Sequence, residues 1–282
     1  MRKTPQEKVL GVVRVLVLVF FLLMVILPIY WMVVTSFKTN AEIIDAQNLT
    51  YYPHTFTLEN YVGVFTLLDY GSFMKNSIIL SLICAIVVTI ISIFGGYGLA
   101  RFKFKGKGAI VLFILVTQMI PSILILIPMY SIFAKMGVIA KLPQFAMLVY
   151  YIIANIPFCS ITMRSFFENI PYSLEEAAMV DGCSRMQCIA KIVIPVMLPG
   201  IVAVFCFAFI GAWNDLMAGV IFASQPSQWT IPVGLKSLLG KNGVQWGMLM
   251  AGGVLALLPT AVMFMIMQRY IVDGLTAGAV KE

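Results

Sequence analysis

The 282 residues carry 61% hydrophobic side chains, only 11% charged ones and a formal net charge of +7, well outside the composition of ordinary soluble domains. Such a chain belongs in a bilayer, and because each spanning helix takes about 20 apolar residues, several spans leave no room for a separate catalytic domain. The 19 Lys and Arg residues sit in short gaps between apolar runs, where they set topology against membrane lipid, so nucleic acid is excluded as a partner.

Six apolar segments follow in chain order, at about 9–34, 77–100, 109–133, 145–163, 198–222 and 248–267, each able to cross as a helix. The first runs too long for a signal-peptide core and lacks a small-x-small cleavage site before Ser36-Phe37-Lys38, so it stays as an anchor. A long external loop, 38–76, brings four acids and several aromatics. Near the end of the second span, Gly96-Tyr97-Gly98 permits close helix packing rather than cradling a pyrophosphate. The turn after it, Arg101-Phe102-Lys103-Phe104-Lys105-Gly106-Lys107, reads as a basic inner anchor, with a lipid-headgroup site as its functional alternative. In the third segment Gln118, Pro121 and Pro128 interrupt the apolar run and predict kinks, as do Pro157 and Pro259 later. Thirteen of the basic residues, all six arginines among them, fall on the face that carries both termini, which makes that face cytoplasmic.

Between the fourth and fifth spans, 164–195 is too polar to cross and too patterned for a slack linker. Asn169-Ile170-Pro171 stops the preceding helix, and Ser173-Leu174-Glu175-Glu176 fits a capping box with Ser173 at the N-cap. Leu174, Ala177, Ala178 and Asp181 follow at helical spacing on one face, and Gly182 supplies a C-terminal stop with positive φ. A second helical piece begins at Ser184, carries Ile189, Ile192 and Val193 on its apolar side, and ends at Pro195. Local patterning leaves two readings open, an interfacial elbow and a docking knob.

In the fifth segment Asp215, beside Trp213 and Asn214, is the only acid within a span; it must face protein or water, and the helix can break beside it. It serves either as an interhelical hydrogen-bond post or, with Gln118, Asn155, Trp213 and Asn214, as part of a solute path. The external stretch 223–247 carries Lys236 and Lys241 without an acid; within it Gly234 to Asn242 imitates a P-loop, but with five residues between the glycines and Asn242 in place of the magnesium-binding hydroxyl. Beyond the sixth segment, Gly274 and Gly278 make the tail a poor helix former, which predicts an extended end. Five cysteines, mostly in apolar runs, make no disulfide framework, and His54, the single histidine, has no metal-ligand spacing around it.

Glu176-Ala177-Ala178, three residues, Gly182, nine residues, Ile192, one residue and Ile194-Pro195 resemble the EAA loop of ATP-binding-cassette importer permeases, with Ile194 where a leucine is usual. Trp31-Met32, Thr35-Ser36-Phe37-Lys38, Gly98-Leu99-Ala100-Arg101-Phe102-Lys103-Phe104, Trp213-Asn214-Asp215 and Gly274-Leu275-Thr276-Ala277-Gly278 resemble the carbohydrate uptake branch and its maltose-type second permease subunit. The resemblance implies an all-α membrane protein of the bacterial or archaeal plasma membrane: a single permease domain over 1–282, with six transmembrane helices and cytoplasmic termini. It implies a second homologous permease, an ATPase dimer and an extracytoplasmic sugar-binding protein as partners. No cofactor is expected in this chain, ATP and magnesium lying on the ATPase. The implied ATPase-coupling residues are Glu175, Glu176, Ala177, Ala178, Asp181, Gly182, Ile192 and Pro195; Gly274, Leu275, Thr276 and Gly278 of the tail would reach between the nucleotide-binding subunits. The competing reading, an ion-coupled secondary transporter, calls for internal repeats and mid-membrane charges, and the chain offers little beyond Asp215.

Overall fold

The computed structural model describes residues 5–45, 47–240 and 243–279, with side chains described over 10–45, 47–240 and 243–270. Helices dominate: α1 (Pro5–Ser36), α2 (Tyr70–Arg101), α3 (Lys107–Thr117), α4 (Ser122–Lys135), α5 (Pro143–Glu168), α6 (Ser173–Val180), α7 (Arg185–Val196), α8 (Leu198–Trp213), α9 (Met217–Phe222), α10 (Ile231–Ser237) and α11 (Trp246–Ala279). Short helices occupy Asn40–Ile44, Glu59–Leu67 and Val138–Lys141, and the strands β1 (Leu239–Gly240) and β2 (Gly243–Val244) pair antiparallel. Among the described residues α1, α2, α5 and α11 are each long and apolar enough to cross a bilayer, and six spans result if α3 with α4 and α7 with α8 each count as one bent span.

The third span, where kinks are expected, and the fifth, where a break beside Asp215 is expected, are both interrupted. The third turns through 91° between α3 and α4, because Gln118, Met119 and Ile120 donate to carbonyls only three residues back and Pro121 has no N–H with which to continue the ladder. The fifth stops at Trp213 and resumes as α9. Asp215 Oδ1 accepts the Ala218 N–H at 2.8 Å, so the acid caps the new helix and the break falls beside it. Pro128, Pro157 and Pro259 lie inside helices that continue past them.

The chain divides into two compact units. The first comprises the residues up to Tyr70 with Leu235–Leu257. Here α1 is exposed from Leu10 to Tyr30 and becomes buried only in its last turns, at Val34, Thr35 and Ser36. The following loop is folded onto that end: Asn60 Nδ2 donates to the carbonyls of Ser36 and Lys38 at 3.0 and 2.8 Å. Ser36 Oγ lies 2.9 Å from the Tyr61 hydroxyl, and the buried Lys38 ammonium sits 4.9 Å above the Trp31 ring while donating to the Thr50 carbonyl.

The second unit comprises Gly71–Gly234 and the residues from Leu258 onward. Its core is built from Cys84, Ala85 and Val88 of α2, Met147, Tyr151, Cys159, Met163 and Phe167 of α5, and Ala203, Val204, Cys206 and Ala208 of α8. Small residues bring the backbones together, as apolar helices in lipid require. A Cβ on Gly96 of α2 would stand 2.9 Å from the Arg164 backbone nitrogen of α5. One on Gly200 of α8 would stand 2.7 Å from the Phe166 ring, and Gly211 meets Asn155 in the same way.

Candidate functional site

The polar loop between α5 and α8 forms a helical hairpin on the end of the second unit. Pro171 starts it: Leu174 N–H donates to the Pro171 carbonyl at 3.3 Å, and Glu175 and Glu176 donate to Tyr172 at 3.0 and 3.1 Å. The first turn is thus set one residue earlier than the expected capping box, and Ser173 is the first residue of α6, preceded by Tyr172 with no side-chain cap. The N–H groups that a Ser173 cap would have served are taken instead by the Pro171 and Tyr172 carbonyls, which leaves Ser173 inside the first turn.

The other end follows the pattern read from sequence. Gly182 has φ of +88°; its N–H donates to Met179 at 3.1 Å and the Cys183 N–H to Ala178 at 3.0 Å, the paired bonds of a Schellman stop. A capping box then opens α7, with Ser184 and Gln187 each satisfying the other's backbone N–H. Ile189–Val193 widens into a π turn before Pro195, whose ring would otherwise clash with the carbonyl four residues back.

This geometry separates the residues singled out in the sequence. Ala177 and Ala178 do not share a face: Ala178 is buried with Cys188, Ile189 and Val193, whereas Ala177 is exposed. Glu176, Asp181, Gly182 and Pro195 are exposed, Ile192 is half-buried, and Val180, which the sequence reading passed over, is 88% exposed. The outward surface is therefore Glu176, Ala177, Val180 and Asp181 around the Gly182 turn.

Glu175 faces inward. Its Oε1 accepts from Arg101 Nε at 2.6 Å and its Oε2 from the Tyr97 hydroxyl at 2.8 Å, while a second Arg101 nitrogen donates to the Ile170 carbonyl at 2.9 Å. The Arg185 guanidinium lies 5.0 Å over the Phe102 ring. The turn read as a plain basic anchor thus holds the hairpin. The available signal was the adjacent pair Glu175-Glu176, which a short helix must split between two directions.

Of the path candidates, Asn155 of α5 lies against Gly211 of α8, two residues before Trp213. Trp213 is buried and stacked on Phe209 at 5.5 Å, Asn155 Nδ2 donates to the Tyr151 carbonyl at 2.8 Å, Asn214 is exposed at the α8–α9 break, and Gln118 is exposed at the α3–α4 bend. Of the P-loop imitation, Gly234 lies within α10 against the Phe73 ring, and Lys241 and Asn242 lie outside the described residues. The extended tail is corrected: α11 runs on to Ala279, carrying Gly274, Leu275, Thr276 and Gly278 in helical backbone. Two glycines cost a helix about 1 kcal/mol each, too little to stop one already 25 residues long at Tyr270; Val280, Lys281 and Glu282 lie outside the described residues.

Residues 88–276 match the family described as the binding-protein-dependent transport system inner membrane component. The chain is 34% identical to the inner membrane ABC transporter permease protein YcjP of Escherichia coli (strain K12), over 94% of each chain. It is 32% identical to the trehalose/maltose transport system permease protein MalG of Thermococcus litoralis, covering 95% of this chain and 97% of that one. Its fold is that of a chain in the crystal structure of a bacterial ABC transporter involved in the import of alginate, with a TM-score of 0.77 at 20% identity, over 96% of this chain and 99% of that one. A buried-backed hairpin carrying the EAA spacing, on a helical bundle matched along nearly its whole length, belongs to a permease whose ATPase is a separate subunit; the chain is a member of the binding-protein-dependent transport system inner membrane components.

Proposed function

We propose that this permease moves a sugar or oligosaccharide across the membrane by alternating access, powered by ATP and magnesium on the ATPase. The observation that carries the coupling half of this reading is the outward face of α6: a short helix backed by a buried ion pair and ended by a positive-φ glycine presents Glu176, Ala177, Val180 and Asp181 to the outside. Small and exposed residues there let a partner's backbone approach closely. The similarity to a trehalose/maltose permease supports a sugar as the solute.

In this proposal the whole chain, 1–282, acts as one permease domain of a multi-pass plasma-membrane protein, with six spans and both termini cytoplasmic. It pairs with a second homologous permease, and the stretch 223–247 meets the loaded binding protein. Glu175 and Ala178 seat the hairpin from within, Ile192 and Pro195 shape its return, and Gln118, Asn155, Trp213, Asn214 and Asp215 border the path. The tail at Gly274, Leu275, Thr276 and Gly278 approaches the nucleotide-binding subunits as helix, not strand.

Reconstitution tests this. Proteoliposomes holding the two permeases alone should show no uptake of radiolabelled maltose or trehalose, and adding the ATPase, binding protein and ATP should start it. Uptake driven by a proton or sodium gradient without an ATPase would overturn the reading. On the path itself, Asp215→Ala should lower thermal stability by about 1 kcal/mol, the usual value of an N-cap; Asp215→Asn, which still caps, should restore stability, so any remaining loss of uptake reports a direct role for the charge.

A further inference from the structure

The ion pair between Arg101 and Glu175 joins the last residue of α2 to the first turn of α6, 74 positions apart. Both side chains are withdrawn from water, at 8% and 3% exposure, and both are hydrogen-bonded beyond each other, through Tyr97 and the Ile170 carbonyl. Such a pair adds little net stability over apolar residues of similar volume, so stability alone is a poor account of it. What it does supply is a direct tie between two elements that are distant along the chain, one of which is flanked on both sides by turns. One flank of α6 is the turn through Asn169–Tyr172; the other is the Gly182 turn leading into the π segment.

We propose that Arg101 is a positioning residue for α6: its pair with Glu175 makes α6 and the cytoplasmic end of α2 move as one body, so that a displacement imposed on α6 is passed to α2 instead of being absorbed by the flanking turns. This rests on the reading of α6 as the helix that meets the ATPase. Tyr97 belongs to the same device, since its hydroxyl holds the second carboxylate oxygen one turn before Arg101. The Arg185 guanidinium on Phe102 steadies α7 against the same end of α2.

The test uses the complete complex in liposomes. Removing one partner would leave an unpaired buried charge and could unfold the hairpin, so the informative variant is the double replacement Arg101→Met with Glu175→Leu. Spin labels go on Ser173→Cys of α6 and Ile86→Cys of α2, both exposed positions, with the half-buried Cys183 changed to serine and the four buried cysteines kept. With Arg101 and Glu175 in place, the label separation should be the same without nucleotide and with ATP trapped. In the double variant it should change between the two states, and sugar moved per ATP hydrolysed should fall by about tenfold, within the usual range of coupling between sites, at normal assembly. A double variant with an unchanged separation and full transport per ATP would overturn the proposal, leaving the pair a structural support only. Ala177→Asp serves as control. If it leaves ATP-driven uptake intact, the docking reading fails and this proposal with it; if it stops uptake while the double variant remains coupled, only the role of Arg101 is refuted.

Discussion

Ala177→Asp is expected to leave the permease folded in the membrane while cutting ATP-driven uptake by about a hundredfold. Position 177 is exposed on α6, beside Val180 at 88% exposure, and substitutions at exposed helix positions usually change stability by less than about 0.5 kcal/mol. A partner that covers this face must desolvate the new carboxylate without an opposite charge prepared for it, at a cost on the order of 3 kcal/mol. Gly182→Val acts on the same surface by a different route. Its φ of +88° is disfavoured for any residue with a Cβ and most for a β-branched one, although no atom lies within 4 Å of where that Cβ would go. Strain therefore has to be relieved by re-aiming the turn. Both variants should insert and assemble normally by size-exclusion chromatography, hydrolyse ATP without matching uptake, and differ in one respect: Gly182→Asn, which tolerates positive φ, should restore transport. Normal uptake by Ala177→Asp at normal expression would show that α6 meets no partner.

The hairpin shows where sequence reasoning succeeds and where it stops. Gly182 was legible because a positive-φ stop after a short helix is a local requirement, as was the second start at Ser184, whose partner Gln187 is three residues away. The Ser173 cap was misread because two local signals competed and Pro171 won. The inward turn of Glu175 was only partly legible: the adjacent pair Glu175-Glu176 says that the two acids must point in different directions, but which one turns inward is decided by Arg101 and Tyr97, 74 and 78 residues away, and no periodicity within 164–195 encodes that contact. The bend between α3 and α4 was half legible, since Pro121 announces a kink but not whether the chain turns by a few degrees or by 91°. The tail failed for a quantitative reason, glycine being a weak breaker when a long apolar helix precedes it.

Gly96 and Gly98 give the sharpest separation of two residues that look alike in sequence, and Gly96→Val should destabilise the detergent-solubilised permease by about 2–3 kcal/mol whereas Gly98→Ala should leave it unchanged or raise its stability slightly. Both glycines sit in the last two turns of α2, where replacing glycine by alanine favours the helix by about 1 kcal/mol. At Gly98 nothing lies within 4 Å of an added Cβ, so that gain is kept. At Gly96 the Cβ would stand 2.9 Å from the Arg164 backbone nitrogen and 3.0 Å from two side-chain carbons of Met163. A side-chain tip could move aside, but the α5 backbone is fixed by its own hydrogen bonds, so the two helices must separate, and overpacking of this kind costs about 1–3 kcal/mol. Gly96→Ala should fall between, the helix gain offsetting part of the clash. The displacement also reaches function, because Tyr97 follows directly and Arg101 lies five residues on: moving α2 away from α5 draws both from Glu175 on α6. Thermal denaturation of the four proteins, parent included, checks the order, with Gly98→Ala at or above the parent, Gly96→Ala below it and Gly96→Val lowest; equal midpoints for Gly96→Val and the parent would mean that α2 and α5 do not approach at this point.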